Sequence, residues 1–138
     1  MSAKAAKRQK SFQNFTKKYG VWLVLSAIVL IGVFFRFNML SSLPPGLHPD
    51  EAANGQDVFR IFSGDIRALY ATNGPRESLF FFLQAAFVKA LGNTILALRM
   101  APALMGTLAI IAVYYWGKDW FGQRVGLIAA FFLAVNPW

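Results

Sequence analysis

The chain has 138 residues, of which 57% are hydrophobic and 14 are phenylalanine, and its formal net charge is +8. This composition excludes an ordinary soluble domain and is typical of a membrane protein. Six of the fourteen basic residues lie in the first twenty positions, where membrane topology explains them, so the charge does not indicate a nucleic-acid partner. The absence of cysteine excludes disulfides and thiolate metal sites.

The first predicted element is a transmembrane helix over residues 21–40. Residues 21–35 carry no charge, and twenty helical residues measure about 30 Å, the thickness of the hydrocarbon layer. Residues 1–20 form a basic tail without acids, and such tails stay on the cytoplasmic side. A cleaved signal peptide is the rival interpretation, but residues 36–39 are not a small-residue cleavage site. The loop over residues 41–99 is therefore expected on the outer face of a plasma or inner membrane.

A short interfacial helix is predicted over about residues 51–62, after the helix breakers in the sequence PPGLHP. Its periodicity is expected to present Ala52, Val58, Phe59 and Phe62 on one apolar side. Ser63 and the glycine that follows it should end the helix.

A second interfacial helix is predicted over residues 78–91, and its position is ambiguous. This stretch is apolar but measures only about 21 Å as a helix. If it crossed the bilayer, the later polar turn at residues 118–124 would lie outside. An interfacial position instead keeps Lys118 and Arg124 of that turn in the cytoplasm, as the positive-inside rule favours.

Two further transmembrane helices are predicted, at residues 100–117 and 125–138, and the cytoplasmic turn 118–124 separates them. Pro102 falls in the first turn of the former, where a missing N–H is harmless. Its aromatic end, Tyr114 to Trp116, suits a membrane interface. The last span measures only about 21 Å and is expected to be truncated. The expected fold class is an all-α membrane protein with about three transmembrane helices and two interfacial helices in the first outer loop.

Candidate chemistry is concentrated at Asp50 and Glu51, two adjacent carboxylates beside His48 at the outer surface. Paired acids at a membrane surface suggest chemistry on a lipid-borne substrate. Asp50 is also suited to be the N-cap of the following helix, with Glu51 favourable in its first turn. A divalent cation is the one cofactor suggested here, but three nearly consecutive residues cannot surround an ion alone, so no metal ligand is assigned. His48 is otherwise a surface loop residue.

Five blocks of sequence carry a resemblance to a known family. They are DE at residues 50–51, RESLFFFL at 76–83, LRMAPALMG at 98–106, WFG at 120–122 and AVNP at 134–137. In order and spacing they resemble the N-terminal part of GT-C membrane glycosyltransferases of the protein O-mannosyltransferase and aminoarabinose-transferase kind. The resemblance implies an inverting transfer of a sugar from a polyprenyl-phosphate donor to an acceptor on the outer face. It also implies that more helices follow, so these 138 residues alone are not expected to be active.

The resemblance also implies roles for particular residues. Asp50 matches the family's catalytic carboxylate, which is proposed to act as general base on the acceptor. Glu51 matches the acidic residue that accompanies it. Arg76 is placed to meet the departing phosphate, since a guanidinium fork matches phosphate oxygens. Relatives commonly continue with Pro-Pro-Leu where this chain has Glu77 and Ser78, so Arg76 could instead form a surface ion pair with Glu77. The candidate substrate-binding residues are Arg76, Glu77, His48, Arg36 and Arg99.

Two of these arginines have a second interpretation, because Arg36 and Arg99 lie at the outer ends of predicted spans and can snorkel to the headgroups. The chain as a whole also has an alternative function, as a non-catalytic accessory subunit that packs against partner helices in a larger membrane complex. Three spans cannot enclose a donor and an acceptor together, and Gly106 and Gly126 are suited to close helix packing.

Overall fold

The computed structural model describes residues 3–72 and 74–136, with side chains from residue 19 onward. The elements, in chain order, are α1 (Ala3–Phe37), α2 (Pro49–Phe62), β1 (Leu69–Tyr70), β2 (Arg76–Glu77), α3 (Ser78–Leu91), α4 (Ile95–Phe121) and α5 (Gln123–Val135). The predicted all-α class is confirmed, and a two-stranded hairpin of two residues per strand is added to it.

Among the described residues, two helical segments are long and apolar enough to cross a membrane, Tyr19–Phe37 in α1 and Ile95–Phe121. The second of these, α4, extends beyond both ends of the span predicted at residues 100–117. The break predicted at residues 118–124 is confined to Gly122, whose φ of 90° is unfavourable for other residues. The helices α3 and α5 are shorter and apolar. The membrane positions of α3 and α5, and a count of three spans, stay predictions.

The first of two compact units combines Met1–Phe35 with Thr107–Trp138, and we call it the apolar unit. Its buried cluster joins α1, α4 and α5 through Leu25, Ile28, Ile110, Tyr114, Ala130 and Ala134. The helices α4 and α5 approach closely at Gly126, where a Cβ atom would lie 2.6 Å from the Tyr114 carbonyl oxygen and 2.8 Å from the Lys118 nitrogen. Glycine therefore allows these two helix backbones to touch.

The aromatic group at the end of α4 is divided between the interior and the surface. Tyr114 is 2% exposed and belongs to the buried cluster, whereas Trp116 is 66% exposed. The expectation that all three aromatic residues face an interface was therefore wrong for Tyr114. Successive residues point about 100° apart on a helix, so one face of the group must turn inward.

The second compact unit is Arg36–Gly106, which we call the polar unit. The helices α2, α3 and α4 pack there around Val58, Ala85, Val88, Ala97 and Leu98. The antiparallel hairpin β1–β2 connects α2 to α3. Its Tyr70 is buried, meets the Phe81 ring edge-to-face at 5.4 Å and donates a hydrogen bond to the Asp65 carbonyl at 2.8 Å. This packing places Arg76 and Glu77 at the start of α3.

The buried face of α2 differs from the expected one. Val58 is fully buried, but Phe59 and Phe62 are each 46% exposed. The buried residues of α2 are Gly55, Asp57 and Val58. The prediction of one shared apolar side was wrong because residues 58 and 59 point about 100° apart on a helix.

A hydrogen bond between α3 and α4 compensates for a proline. Since α4 begins at Ile95, Pro102 lies inside the helix instead of in its first turn, and the carbonyl of Leu98 loses its usual N–H donor. Gln84 of α3, which is 2% exposed, donates from Nε2 to the Leu98 carbonyl at 2.9 Å. The single amide in this part of α3 thus satisfies the acceptor that the proline leaves open.

Candidate functional site

Helix α2 has His48 as its N-cap. The His48 Nδ1 accepts a hydrogen bond from the Asp50 N–H at 3.4 Å, and the His48 N–H donates to Glu51 Oε2 at 3.0 Å, which completes a capping box. Pro49 occupies the first helical position, where its missing N–H has no cost. The interpretation of Asp50 as the N-cap was therefore wrong, because the histidine ring supplies the acceptor two residues earlier.

The Asp50 carboxylate lies at the surface of the first turn of α2. Its side chain is 59% exposed, and Oδ2 is 3.9 Å from His48 Nδ1. A negative charge here is also stabilised by the N-terminal end of the helix dipole. Since His48 caps the helix, Asp50 is an accessible carboxylate held at a fixed position on a rigid element.

Glu51 forms an ion pair with Arg99 of α4. Arg99 Nε donates to Glu51 Oε1 at 2.7 Å and Nη2 donates to Oε2 at 2.9 Å, so the contact is bidentate. The Arg99 side chain is 3% exposed and that of Glu51 is 23% exposed. Hydrogen bonds from Arg99 lower the pKa of Glu51 below its ordinary value, and this effect outweighs the opposing effect of burial. Glu51 is thereby held in its charged form beside Asp50.

The remaining donors of Arg99 hold the chain segment between α1 and α2. Nη1 donates to the carbonyls of Leu40, Leu43 and Pro44 at 3.0–3.1 Å, and Nη2 donates to the carbonyl of Gly46 at 2.7 Å. A guanidinium has five N–H groups, and all of those in Arg99 face acceptors in this chain. Arg99 therefore fixes both the 40–46 segment and the start of α2, and a direct role in substrate binding stays a prediction.

Arg76 points towards α2. Its Nη1 donates to the Asn54 side-chain oxygen at 3.0 Å. Glu77 precedes the first residue of α3 and is exposed. Neighbouring residues of a strand point to opposite faces, so β2 directs these two side chains apart. Among the described residues, the side-chain partner of Arg76 is Asn54 and not Glu77.

Asp50, Asn54 and Asp57 lie on one face of α2. Asn54 lies four residues after Asp50, a spacing that places their Cβ atoms about 5–6 Å apart on a helix. Asp57 lies three residues further on, is buried, and accepts hydrogen bonds from the Thr72 hydroxyl and from Arg60. The hairpin that carries Arg76 is thus attached to the helix face that begins with Asp50.

Arg36, in the last turn of α1, lies elsewhere in the polar unit. It is 7% exposed, and its side chain passes over Gly106, where a Cβ would be 2.9 Å from Arg36 Nε. The chain therefore fills the space beside Gly106 by itself, as it does at Gly126 in the apolar unit. Neither glycine now favours the accessory-subunit alternative over the enzyme.

The residues missed by sequence reasoning are the uncharged partners, Asn54, Thr72 and Gln84. The sequence contained a signal for Gln84. A lone glutamine in an apolar helix can donate a hydrogen bond to the carbonyl that a proline in the next helix leaves without its usual N–H donor. Asn54 carries no comparable signal, because its role depends on how the hairpin folds back. Within residues 3–72 and 74–136, no cluster of three side chains suited to a metal ion is present.

Residues 76–138 match the family model described as dolichyl-phosphate-mannose-protein mannosyltransferase. This region includes every resembling block from Arg76 onward, whereas Asp50 and Glu51 precede it. The match supports a membrane glycosyltransferase of the GT-C type, and the two apolar helices agree with a membrane location. Comparisons with curated proteins and with solved structures gave no match.

Proposed function

We propose that this chain contributes the catalytic carboxylate, a general base, of an inverting membrane glycosyltransferase whose donor is a sugar on polyprenyl phosphate. The matched family is named for mannose on dolichyl phosphate, and that donor is the one we propose first. Asp50 is the general base, Glu51 is its supporting neighbour, and Arg76 contacts the donor phosphate. The acceptor hydroxyl approaches from the outer face of the membrane.

The observation that supports this proposal is the shared face of α2. Asp50 is exposed at the start of that face, and Asn54, one turn later, binds Arg76. A proton acceptor of α2 and a cation of β2 that is hydrogen-bonded to the same helix are thus held near one another. Transfer from a sugar phosphate needs this combination, a base for the incoming hydroxyl and a positive charge for the departing phosphate.

The reaction is a single displacement. The acceptor oxygen bonds to the anomeric carbon of the sugar while the bond from that carbon to the phosphate oxygen breaks. The hydroxyl proton moves to the Asp50 carboxylate, and the electron pair of the broken bond stays on the phosphate. Arg76 stabilises the phosphate because its planar guanidinium can donate two parallel hydrogen bonds. Attack from the opposite side of the sugar inverts the anomeric configuration.

The test is Asp50→Asn in the full-length protein. The substitution preserves size but removes the basic group, so turnover of dolichyl phosphate mannose should fall by about 10²-fold or more. The melting temperature should change little, since His48 and not Asp50 caps the helix. Asp65→Asn is the matched control, because Asp65 pairs with Arg67 outside the proposed site and should leave turnover unchanged. Near-parental turnover in Asp50→Asn would contradict the assignment of the base.

The orientation is part of the same proposal. Single cysteines at Ser11, Ser41 and Gln123 can be treated with an impermeant thiol reagent in intact cells, since the chain has no native cysteine. We expect labelling only at position 41, with the N-terminus and the α4–α5 connection in the cytoplasm. Labelling at position 123 would instead mean that Ser78–Leu91 crosses the membrane.

A further inference from the structure

The β1–β2 hairpin is attached to the rest of the polar unit through Tyr70 and through Thr72. The Tyr70 ring packs on Phe81, and its hydroxyl binds the Asp65 carbonyl. The Thr72 hydroxyl donates to the buried carboxylate of Asp57. These contacts of Tyr70 and Thr72 hold the backbone of the hairpin independently of Arg76. The bond from Arg76 to Asn54 is therefore not needed to hold the loop, and its main effect is on the direction of the guanidinium.

The chemical nature of Asn54 is also informative. Its amide oxygen is a neutral acceptor and engages Arg76 through Nη1 alone. An aspartate at the same place would form an ion pair and offset the positive charge. Among the described residues, Arg76 forms no ion pair. A long arginine side chain is thus oriented by a neutral partner that leaves its charge for an anion.

We propose that Asn54 is a positioning residue that orients Arg76 towards a phosphate bound beside Asp50. Asn54 itself does not touch the reacting atoms. The inference rests on the proposed function, since it takes the anion to be the donor phosphate. It adds a residue that neither the sequence blocks nor the family match assigns, because Asn54 lies before the matched region.

The experiment compares Asn54→Leu, Asn54→Asp, Arg76→Ala and the double variant Asn54→Leu/Arg76→Ala in the full-length protein, with dolichyl phosphate mannose as donor. Asn54→Leu keeps the size of the side chain and removes the acceptor, so the donor KM should rise about tenfold while kcat changes less. Asn54→Asp should raise the KM as well, because its carboxylate competes with the phosphate for Arg76. A purely structural anchor would instead be restored by aspartate, which accepts the same bond.

The double variant separates orientation of Arg76 from any other effect of Asn54. In the Arg76→Ala background, Asn54→Leu should cause no further rise in the donor KM, because its effect is transmitted through Arg76. Thr72→Val is the matched control, since it releases a different attachment of the same loop and should leave the donor KM within about twofold of the parent. An equal effect of Asn54→Leu with and without Arg76 would overturn the proposal.

Failure of the inference and failure of the proposed function give different results. If Arg76→Ala raises the KM but Asn54→Leu does not, the phosphate contact stands and the positioning role is refuted. If Arg76→Ala leaves the KM unchanged, both the phosphate contact and the positioning role are refuted. Stabilisation by dolichyl phosphate, measured as a shift in melting temperature, repeats the comparison without an acceptor. A parent that shows neither turnover nor a shift contradicts the donor class and the inference together.

Discussion

The apolar unit and the polar unit bury different kinds of side chain. In the apolar unit the buried cluster is aliphatic and aromatic, and α4 and α5 meet at Gly126. Among the described residues of the polar unit, four polar or charged side chains are buried, Arg36, Asp57, Gln84 and Arg99. Both units have an apolar cluster, and the second adds buried hydrogen bonds and an ion pair between its elements.

This difference indicates which unit is better suited to hold a catalytic or binding site. Helices that pack through small and apolar residues make a firm scaffold but bury few polar side chains in fixed directions. A network of buried polar groups costs desolvation unless every member is paired, but it holds charged side chains in fixed directions. The candidate residues from His48 to Arg99 all lie in the polar unit, which is consistent with that division.

The largest effect should follow from breaking the Glu51–Arg99 pair. Arg99→Met leaves a carboxylate and four carbonyls without their shared donor, which should lower the free energy of unfolding by about 3 kcal/mol or more. Arg67→Met is the matched control, because its Nε lies at the same 2.7 Å from Asp65 as that of Arg99 from Glu51, but its side chain is 60% exposed. Denaturant titrations of both variants in detergent measure the difference, and equal losses would contradict the role of burial.

The next effect compares one glycine from each unit. Gly126→Ala places a Cβ against backbone atoms of α4, which cannot move aside, so the loss should be about 2–3 kcal/mol. Gly106→Ala meets only the flexible side chain of Arg36 and should be milder. Melting temperatures of the two variants provide the comparison. A larger loss for Gly106→Ala would mean that Arg36 is more rigidly held than its length suggests.

The apolar unit was the easier one to predict from the sequence. Apolar helices are present at residues 21–37 and 100–117 as predicted, but α4 has 27 residues and extends beyond both predicted ends, because hydropathy locates an apolar helix better than it locates the helix ends. The end of α4 depends on Gly122, whereas the sequence suggested a polar turn from Lys118 onward. The helix α4 continues through Lys118 because the hydrophobic residues that follow, up to Phe121, also belong to it.

The sequence identified candidate site residues that stand out locally, but it did not identify their spatial partners. Asp50 and Glu51 were apparent as a pair, and so was the basic residue at Arg76. The partner of each depended on contacts between distant parts of the chain, such as Glu51 with Arg99, which lie 48 positions apart. Asn54 was overlooked because an amide on a short helix has no distinctive spacing. The ring of His48 as a cap was missed for a similar reason, since serine and aspartate are the usual caps.

A smaller effect is expected at the bond from Gln84 to the carbonyl of Leu98. Gln84→Leu removes the donor and should cost about 1 kcal/mol. Pro102→Ala supplies the backbone N–H that a helix normally gives to the Leu98 carbonyl. In that background Gln84→Leu should cost almost nothing, and a double-mutant cycle of unfolding free energies measures the coupling. Additive losses would show that Gln84 does not compensate for the proline.

The smallest expected effect is the loss of stability at low pH when Glu51 becomes protonated. The hydrogen bonds from Arg99 lower the pKa of Glu51, so the stabilisation by its charged form is complete above the ordinary glutamate pKa of about 4.3 and is lost as the pH falls through the lowered pKa. The effect is smaller than the others because a protonated Glu51 can still accept a hydrogen bond. Melting temperatures of the parent and of Glu51→Gln should converge as the pH decreases through that range. If their difference stays constant down to pH values well below it, the charge on Glu51 does not contribute to the stability of the polar unit.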